Sequence, residues 1–326
     1  VPWYIFQSIK HRSLLAPFYA NPEIENGGFL GESKWDFLKH LDPNSSSTLK
    51  AIQIPKQSQI ADRQKMIERE SFSYPLILKP DVGQRGFGVR VIRDESELSQ
   101  YLLLANFDLI AQKLSQLPCE AGIFYVRAPG SSHGMLFSIT DKKFPVVTGD
   151  GVTRLGDLIL RDRRARMIAS TYFSRLRERL YEIPVQGQTL FLTECGNHCQ
   201  GAIFKNGEEL NTSDLLVAIE KIVSQIPHFY FGRLDVRYKD PASLKKGKDF
   251  EIIEINGAGS EATHIWDEKT SLFEAYSTLF TQWRLLFEIG AEVKKSRLAH
   301  PRLHCDLFLK ECFKVFFRKD KLSVSS

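Results

Sequence analysis

Cysteine is scarce in this chain. The five cysteines among 326 residues form an odd set that cannot pair off within one molecule. A disulfide framework is therefore not expected, and a reducing, cytoplasmic setting is. Long apolar runs are lacking too. The opening VPWYIFQSIKHR is too short to span a bilayer, no small-residue cleavage site follows it, and no later stretch reads as a transmembrane helix. Nor does one sign of charge dominate. Lys and Arg number 44 against 39 Asp and Glu, a net charge of +5, too mild to mark a nucleic-acid binder, although phosphorylated ligands would be favoured in such a field. No internal repeat is visible. What remains is a chain with 43% hydrophobic and 25% charged residues, ordinary for a globular protein and long enough for two or three compact units.

The first 70 residues are irregular. An apolar opening with Trp3, Tyr4, Ile5 and Phe6 leads to a glycine-containing loop, NPEIENGGFLGE, and Ser33 stands where a cap belongs ahead of a helix in SKWDFLKHL. LKAIQI reads as a strand and ADRQKMIERE as a polar helix. From Tyr74 the pattern tightens. YPLILKP is a short buried strand, GQRGFGV a glycine loop and VRVI a second strand; DESELSQYLLLA has helical periodicity with acidic residues in its first turn. Strands follow in FDLIAQKL, in AGIFYVRA after a turn at Leu117, Pro118 and Cys119, and around SITDKKFPVVTGDG. One long basic helix is expected over LILRDRRARMIASTYFSRLRERL. A glycine-rich segment, TECGNHCQGAIFKNGEEL, precedes a helix at LLVAIEKIVSQI, the strands FYFGRLDVRY and DFEIIEIN, and a last helix, SLFEAYSTLFTQWRLLFEIGAEV. Closely spaced strands interleaved with helices predict an α+β fold rather than a doubly wound parallel sheet.

Two stretches carry chemistry. Gly83, Gly86 and Gly88 lie between two β-rich segments, where glycines let backbone N–H groups approach an anion. Lys79 sits just before them at a strand end, placed to meet a phosphate. The loop lacks the ending of a P-loop and the glycine order of a dinucleotide fingerprint, and a plain glycine-rich hairpin is the simpler alternative. The second stretch is FGRLDVRY with FEIIEIN. Alternation puts Arg233, Asp235 and Arg237 on one face, and Glu254 with Asn256 on one face at a strand's end, running into Gly257. Such a sparse oxygen set suits Mg²⁺ bound with nucleotide phosphates, and neighbouring arginines suit a phosphate or an oxyanion. A cross-strand salt bridge of Asp235 with Arg explains the same pattern.

Together these parts resemble the ATP-grasp family over roughly residues 71–290. The resemblance implies two α+β subdomains clasping ATP behind a short N-terminal segment. Residues 1–70 would be a substrate-side segment, 71–114 the small subdomain, 115–293 the large subdomain with the metal site, and 294–326 a basic C-terminal tail. ATP would be held by Lys79 and by the loop of Gly83, Gln84, Arg85, Gly86, Phe87 and Gly88. A hinge at Ala111, Gln112, Lys113 and Leu114 would read adenine, and Glu120 the ribose. Asp235, Glu254 and Asn256 match the family's metal set, for two Mg²⁺ ions with Mn²⁺ as a substitute. Arg233 matches an arginine on the transferred phosphate, so Arg233 and Lys79 are the catalytic candidates. FPVVTGDGVTRLGDLI is similar to a segment in ligases of the cyanophycin and glutathione type. NGAGSEATHI stands where D-alanine–D-alanine ligases keep an acceptor loop, making Arg237, Ser260, Thr263 and His264 substrate candidates. The sequence departs from the family at Gln112, where an acidic residue is common, and in the wording of the acceptor loop.

The resemblance implies a ligase that joins a small carboxylate to an amine through an acyl phosphate, releasing ADP and phosphate. A kinase on the same scaffold, or an ATP-binding module without turnover, are the rivals. If NGAGSEATHI does not bind the acceptor, the loop around Gly27, Gly28 and Glu32 is the next candidate. Cys195, His198 and Cys199 lack a second ligand pair for zinc and read as a turn. Asp150 reads as a turn former, and Arg161, Arg163, Arg164 and Arg166 as a solvated basic face. The tail, with an apolar stripe at Leu307, Phe308, Phe313 and Phe316, is expected to pack on the body, with weak contact to a membrane surface as the alternative.

Overall fold

A computed structural model describes residues 2–83, 86–193, 196 and 201–296. Its elements run α1 (Pro2–Lys10), α2 (Trp35–Leu38), β1 (Ala51–Ile54), α3 (Ile60–Arg69), β2 (Leu76–Pro80), β3 (Arg90–Ile92), α4 (Glu95–Leu104), β4 (Leu109–Lys113), β5 (Cys119–Val126), β6 (Met135–Lys143) and β7 (Val146–Thr148). They continue with α5 (Leu155–Arg161), α6 (Ala169–Arg175), β8 (Thr189–Phe191), β9 (Ile203–Asn206), α7 (Ser213–Val223), β10 (Phe231–Tyr238), α8 (Pro241–Lys245), β11 (Phe250–Asn256) and α9 (Leu272–Ser296). The strands form a four-stranded sheet in the order β1-β4-β2-β3, a five-stranded sheet in the order β11-β10-β5-β6-β9, and a ribbon of β7 with β8. Neighbouring strands are antiparallel in all three. The expected α+β class is what the structure has.

The small sheet is half of a sandwich. Leu76, Leu78, Ile92, Leu109 and Ala111 pack against Ile67 of α3 and Leu98 and Leu102 of α4. Asp94 starts α4 by accepting from Glu97 N, the cap that the acidic first turn predicts. The large sheet has one apolar face and one charged face, as alternation requires. Ile123, Leu234, Val236 and Ile252 meet Leu215, Ile219, Ile222 and Val223 of α7. These four α7 side chains recur on one helical stripe, and burying each is worth about 2 kcal/mol before entropy. The charged face is thereby left for the site.

One expected element is broken. The long basic helix divides into α5, a short 3₁₀ turn at Ala165–Ile168, and α6. Asp162 is extended at the end of α5, and its carboxylate accepts from Arg164 N at 2.9 Å and Ala165 N at 2.7 Å. A short polar side chain that bonds nearby backbone competes with the helix ladder and ends it. At the other end of the body, α9 continues to Ser296, into the stretch read as tail.

The N-terminal segment joins both sheets. Its β1 pairs with β4, so it supplies an edge strand of the small sheet. Further back, Ala20 packs with Phe124 and Phe231 on the large sheet. The chain passes between the sheets at two places that lie side by side, where Lys113 N donates to Lys50 O at 2.9 Å. Both crossings rest on β11: Ile252 N donates to Ser47 O at 2.8 Å, and Ser115 Oγ to the Glu251 carboxylate.

Candidate active site

The charged face of the large sheet is built strand by strand. Register sets Arg233 opposite Asn256 and Asp235 opposite Glu254 on β11, and Arg237 opposite Glu120 and Asp235 opposite Gly122 on β5. On β6, Lys142 lies opposite Glu120 and Thr140 opposite Gly122. Every member therefore comes from an alternate position of its strand.

Lys142 is the centre of the charge network. Its buried Nζ donates to Glu120 Oε1 and to Asp235 Oδ1, each at 2.9 Å. Arg233 brackets Asp235 from the other side, with Nε to Oδ1 and an Nη to Oδ2, both at 3.2 Å. Arg237 Nε meets Glu120 Oε2 at 3.0 Å, and its guanidinium lies 4.6 Å from the Phe144 ring centre. Burial alone would raise the Asp235 carboxyl; Arg233 and Lys142 outweigh it and hold it below the ordinary range. Burial works against the Lys142 ammonium, but Asp235 and Glu120 keep its proton more tightly held than usual. The salt bridge expected of Asp235 with an arginine is formed, but along its own strand by Arg233 and not across strands; the partner from another strand is Lys142.

The small sheet faces this network with two lysines. Lys79 at the end of β2 donates to Gln112 Oε1 at 2.8 Å and, across the gap, to Ile253 O at 2.7 Å. Lys34, buried just before α2, donates to Gly83 O at 2.8 Å and stands 3.8 Å from Glu254 Oε1. Gly86 and Gly88 have positive φ, and a Cβ at Gly88 would fall 2.8 Å from Pro80 Cγ, so the loop turns where only glycine fits. Gln84 and Arg85 lie outside the described residues. Gln112 Nε2 is buried without a hydrogen-bond partner among the described residues. Lys113 spends its N–H on Lys50, and Leu114 follows the end of β4.

The N-terminal loop closes the third side. Gly257 N donates to Glu32 Oε2 at 2.7 Å, Ala258 N to Gly27 O and Gly259 N to Gly28 O. Gly28 and Gly257 pack backbone to backbone, since a Cβ on either would lie 2.9 Å from the other's Cα. The Asn256 amide sits among carboxylates. With Nδ2 toward Asp235 Oδ2 the contact is 3.5 Å; turned over, Nδ2 donates to Glu254 Oε1 at 3.1 Å and Glu32 Oε1 at 3.3 Å. The amide nitrogen is the better neighbour for those carboxylates in the absence of a cation. With the oxygen there instead, it lies 3.1 Å from Glu254 Oε1 and 3.3 Å from Glu32 Oε1, separations that fit ligands of a hard ion. Burial pushes Glu32 up to about 7, against the Gly257 N–H and Lys34, which favour its charge.

The donor set therefore fits Mg²⁺ at Glu254 and Asn256, while Asp235 has both oxygens on cations. No group of three or more His, Cys, Asp or Glu side chains is arranged for a metal among the described residues; Cys195, His198 and Cys199 lie outside them. Of the acceptor candidates, Thr263 Oγ1 meets Thr140 Oγ1 at 3.0 Å on the charged face. Ser260 Oγ is spent on Gly257 O at 2.6 Å. His264 keeps a buried Nδ1 without a partner among the described residues, and burial lowers its pKa. The loop is held by Arg233, which donates to Glu261 O at 3.0 Å. Asp150 forms the expected turn, accepting from Val152 N and Thr153 N.

Lys34 and Lys142 were missed in the sequence. Lys142 had a signal: Ser138, Thr140 and Lys142 alternate through a strand whose neighbours are buried. Lys34 had none, because its place depends on Gly83 and Glu254, far away in the chain.

No protein-family model matches the chain, and no curated protein does. Solved structures do. The structure is similar to a D-alanine–D-alanine ligase from Bacillus anthracis complexed with ATP, at 13% identity and a TM-score of 0.45, covering 87% of this chain and 70% of that one. It is similar to a bifunctional glutathione synthetase from Pasteurella multocida at 12% identity and a TM-score of 0.37, covering 73% of this chain and 34% of that one. For N5-carboxyaminoimidazole synthetase from Staphylococcus aureus the identity is 13% and the TM-score 0.38, over 77% and 51% of the two chains. The likeness is one of fold alone. This chain spans about a third of the length of the glutathione synthetase and about half that of the carboxyaminoimidazole synthetase. No helix among the described residues is long and apolar enough to cross a membrane.

Proposed function

We propose that the chain is an ATP-dependent ligase that joins a small carboxylate to an amine, with ADP and phosphate as the other products. The observation that carries this reading is the linked set of Lys34, Lys79, Lys142 and Arg233 around Asp235, Glu254 and Asn256, set between a glycine loop and the charged face of a sheet. Four cations in that space, two of them buried against carboxylates, are an anion site whose charges are internally paired until a stronger anion competes.

In this reading Lys34, Lys79 and the loop of Gly83 to Gly88 hold the nucleotide phosphates. Glu254, Asn256 and Asp235 are the residues that would hold Mg²⁺, which would supply charge neutralisation on the phosphate oxygens, while Lys142 and Arg233 bind phosphate. A substrate carboxylate oxygen bonds to the γ-phosphorus as the bond to the β–γ bridging oxygen breaks, and ADP leaves with that electron pair. The amine nitrogen then bonds to the acyl carbon, the bond to the phosphate oxygen breaks, and the amine proton passes to solvent or a nearby base. Lys142 and Arg233 lie where charge builds on the transferred group and the tetrahedral centre. Gln112 Nε2 is the free donor for the base, and Thr140, Thr263 and the Gly27–Glu32 loop line the acceptor side. Glu120 reaches the ribose only by releasing Lys142 or Arg237.

The test is ADP release with ATP, Mg²⁺ and pooled amino acids and small carboxylates, followed by mass spectrometry. An amide supports the ligase. A stable phosphorylated product reassigns the chain as a kinase, and no nucleotide turnover with retained ATP binding reassigns it as a binding module.

A further inference from the structure

The first helix packs Tyr4 inward on Trp283 and Phe287, with ring centres 5.4 and 5.0 Å away, yet its outer face is apolar as well. In α1 the buried residue is Gln7, 1% exposed, while Ile5, Phe6 and Ile9 face outward, Ile9 at 72%. A helix on an ordinary protein surface turns a polar face outward. The outward apolar face does not end with α1, because α9 runs beside it. Trp3 stacks on Phe6 with ring centres 5.2 Å apart and meets Phe280 at 4.9 Å, and Phe280 meets Tyr276 at 6.0 Å. Beyond Tyr276 the same end of α9 exposes Phe273 at 83% and Leu272 at 80%. Ring contact thus joins Phe6, Trp3, Phe280 and Tyr276 in a strip across two helices.

Charge marks the other end of that strip. Lys10, Arg12, Lys294 and Lys295 are exposed where α1 ends and α9 finishes, with Lys10 against Glu288 at 3.7 Å and Lys294 against Ser13 at 3.3 Å. The sequence goes on in the same sense. Residues 294–326 hold nine Lys or Arg and three Asp or Glu, a net +6, against a total of +5, so the rest of the chain is at −1. All of the excess positive charge is attached to the end of the helix that carries the strip.

We propose that the face formed by α1 and the N-terminal half of α9 rests on the surface of an anionic phospholipid bilayer, with Lys10, Arg12, Lys294 and Lys295 toward the headgroups. An apolar strip alone, or a basic segment alone, gives only marginal and reversible attachment; the two together give a stable one. Trp3 and Tyr276 suit the interface, where an apolar ring with a polar edge is at home. The inference is independent of the ligase reading, since none of these residues belongs to the site.

The experiment is flotation of the full chain with vesicles of phosphatidylcholine alone and of phosphatidylcholine mixed with phosphatidylglycerol, at low and high salt. The parent is expected to float with the anionic vesicles and much less with neutral ones, and salt should reduce but not abolish the binding. Phe6→Glu with Ile9→Glu is expected to lower the partition coefficient by at least about tenfold, with unchanged thermal unfolding because both side chains are already outside. Flotation of that double variant equal to the parent's would overturn the proposal, as would no flotation of the parent. So would a parent dimer that the variant splits, seen by light scattering without flotation, which assigns the strip to a second copy. Flotation that appears only when the chain is cut after Ser296 would also overturn it, by assigning the strip to the chain's own tail.

Discussion

Asn21 pairs with Phe231 as a strand residue would, although 210 positions separate them. Its Nδ2 donates to Phe231 O at 2.8 Å and its Oδ1 accepts from Phe231 N at 3.1 Å, while the same carboxamide also accepts from Tyr230 N and donates to Gly27 O. One buried side chain thereby satisfies four backbone groups and fixes the glycine loop to the start of β10. Asn21→Ala takes the side-chain partner from Tyr230 N, Phe231 N and Phe231 O, while Gly27 O keeps Ala258 N, and is expected to cost about 3 kcal/mol. Urea unfolding of the variant checks this; a loss under about 0.5 kcal/mol, the scale of an ordinary surface change, would show that the loop is not held there.

Lys142 is expected to matter to the fold as well as to turnover. Lys142→Met leaves Asp235 and Glu120 each with one cation in a buried place and is expected to destabilise by about 3 kcal/mol at neutral pH. The sign with pH follows from the depressed Asp235 carboxyl. Its stabilisation is full above the ordinary value of 3.8 and is lost as pH falls through the lower folded value. The gap between parent and variant in urea should therefore narrow in acid below that point, and a gap that stays constant would remove Asp235 from the account.

Glu254 carries little of the fold, since its ion pair among the described residues is the 3.8 Å approach of Lys34. Glu254→Gln is expected to keep the parent's unfolding midpoint and lose at least about 10²-fold in ADP release, the scale of removing one electrostatic contact in a phosphoryl-transfer site. Full release by the folded variant would sink the metal assignment. Lys79→Ala, by contrast, should weaken ATP binding and slow release together, because its ammonium would meet phosphate before and during transfer. Isothermal titration with ATP and single-turnover rates separate the two.

Glu32 should make the metal-free protein less stable as pH rises. Its folded pKa is raised from 4.5 to about 7 by burial, so the folded state holds a proton that the unfolded state has lost between those values. Stability is full below 4.5 and falls as pH climbs through 7. Glu32→Gln keeps an acceptor for Gly257 N and removes the penalty. With chelator present, the variant is expected to match the parent near pH 4.5 and exceed it by about 2 kcal/mol at pH 8, less than the full conversion because the side chain is only half-buried. An equal difference at both pH values would show that burial does not raise this carboxyl.

The sequence was legible where a residue's role depends on its own strand. Arg233 with Asp235, and Glu254 with Asn256, could each be placed on one face of their own strand because alternation is local, and Ser33 could be read at a helix start because caps are local. Ser33 Oγ does accept from Asp36 N at 3.2 Å. Partnership was not legible. Nothing in FGRLDVRY says that Asp235 will meet a lysine from β6, and nothing in GESK says that Lys34 will face Glu254. The broken basic helix failed for a smaller reason. Arginine-rich spacing suggested one continuous helix, and a single carboxylate at Asp162 bonding two N–H groups decided otherwise. The apolar outer face of α1 could not be read either, because a short run of Trp, Tyr, Ile and Phe looks the same whichever side it turns to the body.

The two chain crossings between the sheets lie against each other at Lys50 and Lys113 and land on neighbouring residues of β11. Two pins on one line favour rotation about that line over twisting or sliding, once the hydrogen bonds of Lys79 to Ile253 O and Lys34 to Gly83 O are released. Displacement in such a motion grows with distance from the pins. Gly83, Gly86 and Gly88, between β2 and β3 at the strand ends away from Lys113, would then sweep a wider arc than Gln112 beside the pins. A nucleotide in the gap would thus have its base end gripped by a slower-moving wall and its phosphate end met by a faster-moving edge, like paper fed into a closing book near the spine.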